Sequence, residues 1–220
     1  MNPGLVIFDC DGVLIDSEMI SVRVTTAALR GAGLEIDEDE VARRFLGLSD
    51  TSLIASVEKQ LGRPLGAGFS HALVARTLAA FEDDLRAMPG VEAAIRALSC
   101  KFCVASSSAP SRLARSLELT GLADLFGADV FSARMVPCGK PAPDLFLHAA
   151  ATMGVAPGDC LVIEDSAPGV IAAGRAGMRV CGFCGGSHLR GAAPVAALAA
   201  AGAHMVFDDM TRLAGLIDLA

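Results

Sequence analysis

Short, continuous apolar runs recur along the chain, each followed by a stretch of helical character. The runs are LVIFDC (5–10), FCVASS (102–107), DVFSA (129–133), CLVIED (160–165), RVCGF (179–183) and HMVFDD (204–209). Continuous rather than alternating apolarity suits strands buried on both faces, as in a parallel sheet covered by helices. The alternation of strand and helix then predicts a doubly wound α/β core. Residues 17–86 interrupt it. They read as four consecutive helices, SEMISVRVTTAALRGAG, DEDEVARRFLG, DTSLIASVEKQLG and FSHALVARTLAAFEDDL, with no strand between them. The pattern predicts a four-helix bundle inserted after the first strand, with Pro89-Gly90 marking the return. The expected domains are a core of residues 1–15 and 89–220 and an inserted helical domain of residues 16–88.

Local chemistry marks several helix boundaries. Asp37 with Glu40 three positions on predicts a capping-box start. Ser108 is expected to cap a helix that carries Pro110 in its first turn and ends at Gly121. Pro143 opens another that stops at Gly154, and APGVIAAGRAG closes at Gly177. The alanine-rich APVAALAAAGA (193–203) reads as an ordinary helix.

Composition narrows the class. With 220 residues, 53% of them hydrophobic and 20% charged, the chain can bury a large core and is not disordered. No apolar run approaches the roughly 18 residues of a membrane-spanning helix. LVIF gives way to acids too early for a secretory leader, so a cytoplasmic protein is expected. The seven cysteines show no C-x-x-C pair or neighbouring histidine cluster, and read as reduced, mostly buried thiols. Net charge is −7, and residues 16–88 hold 12 of the 25 acids and 8 of the 18 bases. Neither part offers the basic surface that a nucleic acid demands. No extra helix or heptad marks an interface, so a monomer is expected.

Charge gathers where the apolar runs end. The first run ends in Asp9 and Asp11, followed by Gly12; the second ends in Ser106 and Ser107; a later one ends in Glu164 and Asp165. Lys140 stands in CGKPAPD, a loop just before a helix. Open α/β sheets bind ligands at the carboxyl ends of their strands. Four carboxylates gathered there repel one another unless a cation compensates them. Mg²⁺ suits such a site, because it prefers oxygen ligands and keeps waters that a phosphate can replace.

In this order, and with a helical insert after the first, DCDGV, VASSS, GKPAPD and VIEDSAPG resemble the four motifs of the haloacid dehalogenase superfamily. The insert resembles the cap of its phosphatase and β-phosphoglucomutase-like branch, and the likeness spans essentially the whole chain. The resemblance implies Mg²⁺-dependent hydrolysis of a small phosphate monoester, a sugar or polyol phosphate, through an aspartyl-phosphate. By the same resemblance Asp9 is the nucleophile and Asp11 the general acid and then base. Lys140 neutralises the phosphoryl oxygens and Ser106 hydrogen-bonds one of them, with Ser107 and Gly12 completing the phosphate-binding set. Mg²⁺ is held by Asp9, the backbone carbonyl of Asp11 and Asp165, with Glu164 contributing directly or through water. Ser166 and Gly169 support that acidic end. Cys10 points to the other side of its strand and has no chemical role.

Plainer readings exist for each feature. Asp9 and Asp11 alone could terminate a strand, Lys140 alone could be a solvated lysine, and one of Ser106, Ser107 and Ser108 is an ordinary cap. His71, His148, His188 and His204 have no acidic or cysteine partner at useful spacing and are expected to be structural or on the surface. DEDE (37–40) is a helix start favoured by the dipole. Arg43 and Arg44, just before FLGLS, either reach the substrate or line a solvated face.

The alternative function is a β-phosphoglucomutase-like sugar phosphomutase, which shares every core residue. Where that relative has a histidine and a cap arginine, this chain has Ser21 and Asp50, which favours hydrolysis. A metal-free dehalogenase has little use for Asp11. A phosphonate hydrolase needs a Schiff-base lysine in the insert, where Lys59 is the only lysine. A receiver domain that stores an aspartyl-phosphate lacks both the acid/base residue and the helical insert.

Overall fold

A computed structural model describes residues 2–46, 50–189 and 191–217 of the chain. Part of FLGLS (47–49) and the side chain of Asp50 therefore lie outside the described residues. Among the described residues, six strands form one parallel sheet: β1 (Leu5–Phe8), β2 (Lys101–Ser106), β3 (Val130–Ser132), β4 (Cys160–Glu164), β5 (Arg179–Phe183) and β6 (Met205–Phe207). Their order is β3-β2-β1-β4-β5-β6. Phe8 pairs with Val104 on one side and Ile163 on the other, so β1 is central. Every residue of β1 and β4 is buried, which is why both read as unbroken apolar runs.

The chain divides into two compact units, one of Met1–Asp16 with Arg86–Ala220 and one of Ser17–Leu85. The first unit holds the sheet with α5 (Val91–Arg96), α6 (Pro110–Leu119), α7 (Ala123–Phe126), α8 (Asp144–Met153), α9 (Ala167–Arg175), α10 (Ala192–Ala201) and α11 (Leu213–Ile217). On one face of the sheet Leu5, Ile7, Cys103, Ala105, Val162 and Val180 pack with Phe146 and Ala149 of α8 and Val170 and Ala173 of α9. On the other, Phe8 and Phe102 meet Phe126 of α7 edge-on, at 6.3 and 5.6 Å between ring centroids. Side chains alternate along a strand, so Glu164 shares the face of Val162. Asp9 extends the ladder, its N–H donating to the Ile163 carbonyl at 2.9 Å, and falls on the face of Ile7.

The chain winds from β1 outward to β2 and β3, then returns past β1 to β4, β5 and β6. The direction of winding therefore reverses between β1 and β4. Such a switch point leaves a crevice at the strands' carboxyl ends, where ligands bind in open α/β sheets. Here those two ends carry Asp9 and the Glu164-Asp165 pair.

The second unit contains α1 (Glu18–Gly31), α2 (Glu38–Phe45), α3 (Asp50–Leu61) and α4 (Phe69–Asp84) around its own core of Val22, Leu29, Val41, Phe45, Leu53 and Val57. The Asp37 side chain accepts from the Glu40 N–H at 2.7 Å, satisfying one of the orphan donors that open α2. Arg44 is used inside this unit, donating to Glu40 at 2.6 Å and to Gln60 of α3 at 2.7 Å. Arg43 is exposed.

The segments that leave and rejoin the sheet unit run side by side. The Asp16 N–H donates to the Arg86 carbonyl at 3.0 Å and the Met88 N–H to the Leu14 carbonyl at 2.8 Å, with Ile15 and Ala87 bridged antiparallel. Among the described residues no helix is long and apolar enough to cross a membrane. All seven cysteines are free.

Candidate active site

Lys140 joins residues far apart in sequence. Its Nζ donates to Asp9 Oδ1 at 2.5 Å and to Glu164 Oε1 at 2.6 Å, and its side chain is only 5% exposed. The ammonium also lies 4.9 Å from the Phe146 ring centroid, and Arg175 of α9 holds the loop by donating to the Pro141 carbonyl at 2.9 Å. Burial alone would lower the lysine's pKa, but the two carboxylates outweigh it and hold the ammonium more firmly charged than in water. Glu164 is fully committed. Its Oε2 accepts from both the N–H and the hydroxyl of Ser166, each at 2.8 Å. A Cβ at Gly169 would lie 1.7 Å from Glu164 Oε1, so the helix can begin there only with glycine. Ser166 in turn caps α9, accepting from the Gly169 N–H at 3.2 Å.

Asp165 stands beside this group with a different partner. Its Oδ2 lies 3.1 Å from His188 Nε2, and the imidazole is buried. Gly12 closes against the same oxygen. Its φ is +79°, and a Cβ there would stand 1.9 Å from Asp165 Oδ2 and 2.9 Å from His188 Cε1. The carboxyls of Asp9 and Asp165 both sit well above the ordinary carboxylate range. Burial is the main cause, and neighbouring carboxylates add to it: Glu164 and Asp165 for Asp9, Glu164 and Asp11 for Asp165. Cys10 is buried and its thiol is pushed up by burial and then by Asp11 and Asp9, so it stays protonated.

Asp11, two residues beyond Asp9, is held from another direction. Ser108 Oγ donates to its Oδ2 at 2.7 Å and Arg112 Nη2 to its Oδ1 at 2.9 Å. Ser106 is buried, and its Oγ accepts from the Ser108 N–H at 3.0 Å, so it lies in the same cluster. Ser107 is exposed at that strand end.

Two expectations are corrected. Ser108 does not cap a helix: α6 has Ala109 at its N-cap and Pro110 at its first position, which leaves the Ser108 hydroxyl to Asp11. His188 has an acidic partner after all, because the loop after β5 carries it back to Asp165. Arg112 joins the site as a residue that no motif marks. The available signals were a basic residue in the first turn of the helix that leaves β2, and the paired glycines before His188, which allow close approach of a backbone.

The donor set fits a divalent cation. Four carboxyl groups, Asp9, Asp11, Glu164 and Asp165, face two permanent cations, Lys140 and Arg112, so that their full ionisation would leave negative charge for a bound cation to compensate. All the acidic donors are hard oxygens, as Mg²⁺ prefers. Among the described residues no three His, Cys, Asp or Glu side chains form a metal cage by themselves.

Residues 3–177 match the family model described as haloacid dehalogenase-like hydrolase. The chain belongs to that family and is a hydrolase. It is 32% identical over 184 residues to 6-phosphogluconate phosphatase of Escherichia coli, covering 83% of each chain. Among solved structures, it resembles a haloacid dehalogenase-like protein of Agrobacterium tumefaciens, with a TM-score of 0.87, 37% identity and 98% of each chain covered. It also resembles a hydrolase of the same family from Deinococcus radiodurans, solved with bound phosphate and sodium. There the TM-score is 0.80 and the identity 33%, covering 99% of this chain and 96% of that one.

Proposed function

We propose that the enzyme hydrolyses small phosphate monoesters, sugar or polyol phosphates, with Mg²⁺ and through an aspartyl-phosphate on Asp9. The observation that carries this reading is the Lys140 bridge, which ties Asp9 to Glu164 beside Asp165 at the switch point of the sheet. The similarity to a 6-phosphogluconate phosphatase supports a sugar phosphate, and the phosphate-bound relative supports a phosphate site.

In the first step an Asp9 carboxylate oxygen attacks phosphorus as the ester P–O bond breaks, and Asp11 gives its proton to the departing alkoxide. In the second, Asp11 takes a proton from water as that water attacks phosphorus, releasing inorganic phosphate and restoring Asp9. Lys140 and Ser106 hydrogen-bond the phosphoryl oxygens where negative charge is greatest. Asp9, the Asp11 carbonyl and Asp165 would hold Mg²⁺, which would supply the remaining charge compensation. Glu164, with one oxygen on Lys140 and the other on Ser166, keeps the lysine in place. The unit Ser17–Leu85 is proposed as the cap that selects the substrate.

The test is release of inorganic phosphate from a panel of sugar and polyol phosphates, with and without Mg²⁺. Turnover that needs Mg²⁺ and is lost in Asp9→Asn is the expected outcome. Absence of turnover, or an Asp9→Asn enzyme as fast as wild type, overturns the reading. Isomerisation of a hexose phosphate without free phosphate would make the enzyme a mutase instead.

A further inference from the structure

We propose that His188 is a positioning residue for Asp165, through which the loop after β5 sets the affinity of the site for its divalent cation. The inference rests on the function proposed above. His188 lies on a loop, Cys184–Leu189, that belongs to none of the four motifs named in the sequence, yet its Nε2 is 3.1 Å from Asp165 Oδ2 and its side chain is only 3% exposed.

The imidazole occupies a slot walled by two glycines. A Cβ at Gly186 would stand 2.8 Å from both Cε1 and Nδ1 of the ring, and one at Gly12 would stand 2.9 Å from Cε1. The ring therefore cannot shift toward either wall. The loop is also anchored from its other side, where Asp16 Oδ1 accepts from the Ser187 N–H at 3.1 Å and from the Ser187 hydroxyl at 2.7 Å. A hydrogen bond from Nε2–H to Oδ2 fixes the orientation of the Asp165 carboxylate and leaves its other oxygen to the cation. Partners of this kind behind a ligand typically change metal affinity by roughly 10- to 100-fold when removed.

The experiment compares wild type with His188→Gln, His188→Ala and Asp16→Ala. Mn²⁺ affinity is measured by calorimetry on the substrate-free protein, and the Mg²⁺ concentration for half-maximal turnover is measured separately. His188→Ala is expected to weaken Mn²⁺ binding about 10-fold or more and to raise the Mg²⁺ requirement in parallel. Turnover at saturating Mg²⁺ should fall much less. His188→Gln, whose amide can still donate to Asp165, should recover part of the affinity and guards against misfolding of the alanine variant. Asp16→Ala, acting only through the loop anchor, should shift affinity the same way by less. Wild-type affinity in both His188 variants overturns this inference alone. A wild-type protein that binds neither ion overturns the proposed function and this inference with it.

Discussion

Asp9 and Asp11 leave the same strand two residues apart, yet their surroundings differ in kind. Asp9 is buried among like charges and shares a single lysine with Glu164. Asp11, whose side chain is 14% exposed against 10% for Asp9, has a guanidinium and a hydroxyl of its own. The strand's alternation sends the first carboxylate to the α8–α9 face, while the next two residues turn the second toward the start of α6. Environments that differ in this way suit two identical groups to separate tasks, as with paired catalytic carboxylates elsewhere. The proposed roles follow the partners: a carboxylate that shares a buried lysine with Glu164 for covalent attack, and one held by Ser108 and Arg112 for proton transfer.

The largest effect should separate these roles directly. Asp9→Asn should lower turnover by about 10⁴-fold or more, whereas Asp11→Asn should lower it by roughly 10²- to 10⁴-fold. With an aryl phosphate, whose leaving group needs no proton, Asp11→Asn should still form phosphoenzyme and then stall. Mass spectrometry should find the phosphoryl group on Asp9. Covalent phosphate in the Asp9 variant, or its absence from the Asp11 variant, would erase the distinction.

The two cations offer a second comparison. Lys140→Met strips both Asp9 and Glu164 of a buried partner and should cost about 3–5 kcal/mol of stability in denaturant titrations. Arg112→Met removes a partner that is 26% exposed from a carboxylate that keeps Ser108, and should cost about 1 kcal/mol or less. Equal losses would show that the two clusters are not buried differently.

The smallest effect concerns pH. Asp9 and Asp165 are raised above their unfolded value of 3.8, so in the window above about pH 4 the native state holds protons that the unfolded chain has released. Without a divalent ion these two groups make stability fall as pH rises through that window. Mg²⁺ binds the charged forms, so the rise in Tm on adding it should grow from pH 5 to pH 8, by a few degrees. A Tm gain independent of pH would place the ion away from these carboxylates.

The sheet was readable because its strands are covered on both faces and each wrote an uninterrupted apolar run. Five of the six runs contain the whole strand that the structure shows, and β2 begins one residue before its run, at Lys101. The positions of Asp9, Glu164 and Asp165 were equally visible, since each follows directly from where a strand ends. The contacts of Ser108, Arg112 and His188 were not. A serine shortly before a proline resembles a cap, and only a helix that starts one residue later frees its hydroxyl for Asp11. His188 meets Asp165 because two separate loops converge, and spacing along the chain carries no information about that distance.

The pairing of Asp16 with Arg86 has an evolutionary corollary. Because the polypeptide departs and comes home at neighbouring points, a tight reverse turn could replace everything between them with little loop-closure penalty and no disturbance to the six strands. The helical insert is therefore an exchangeable module. Its sequence could drift, lengthen or be traded without changing the residues at the strand ends.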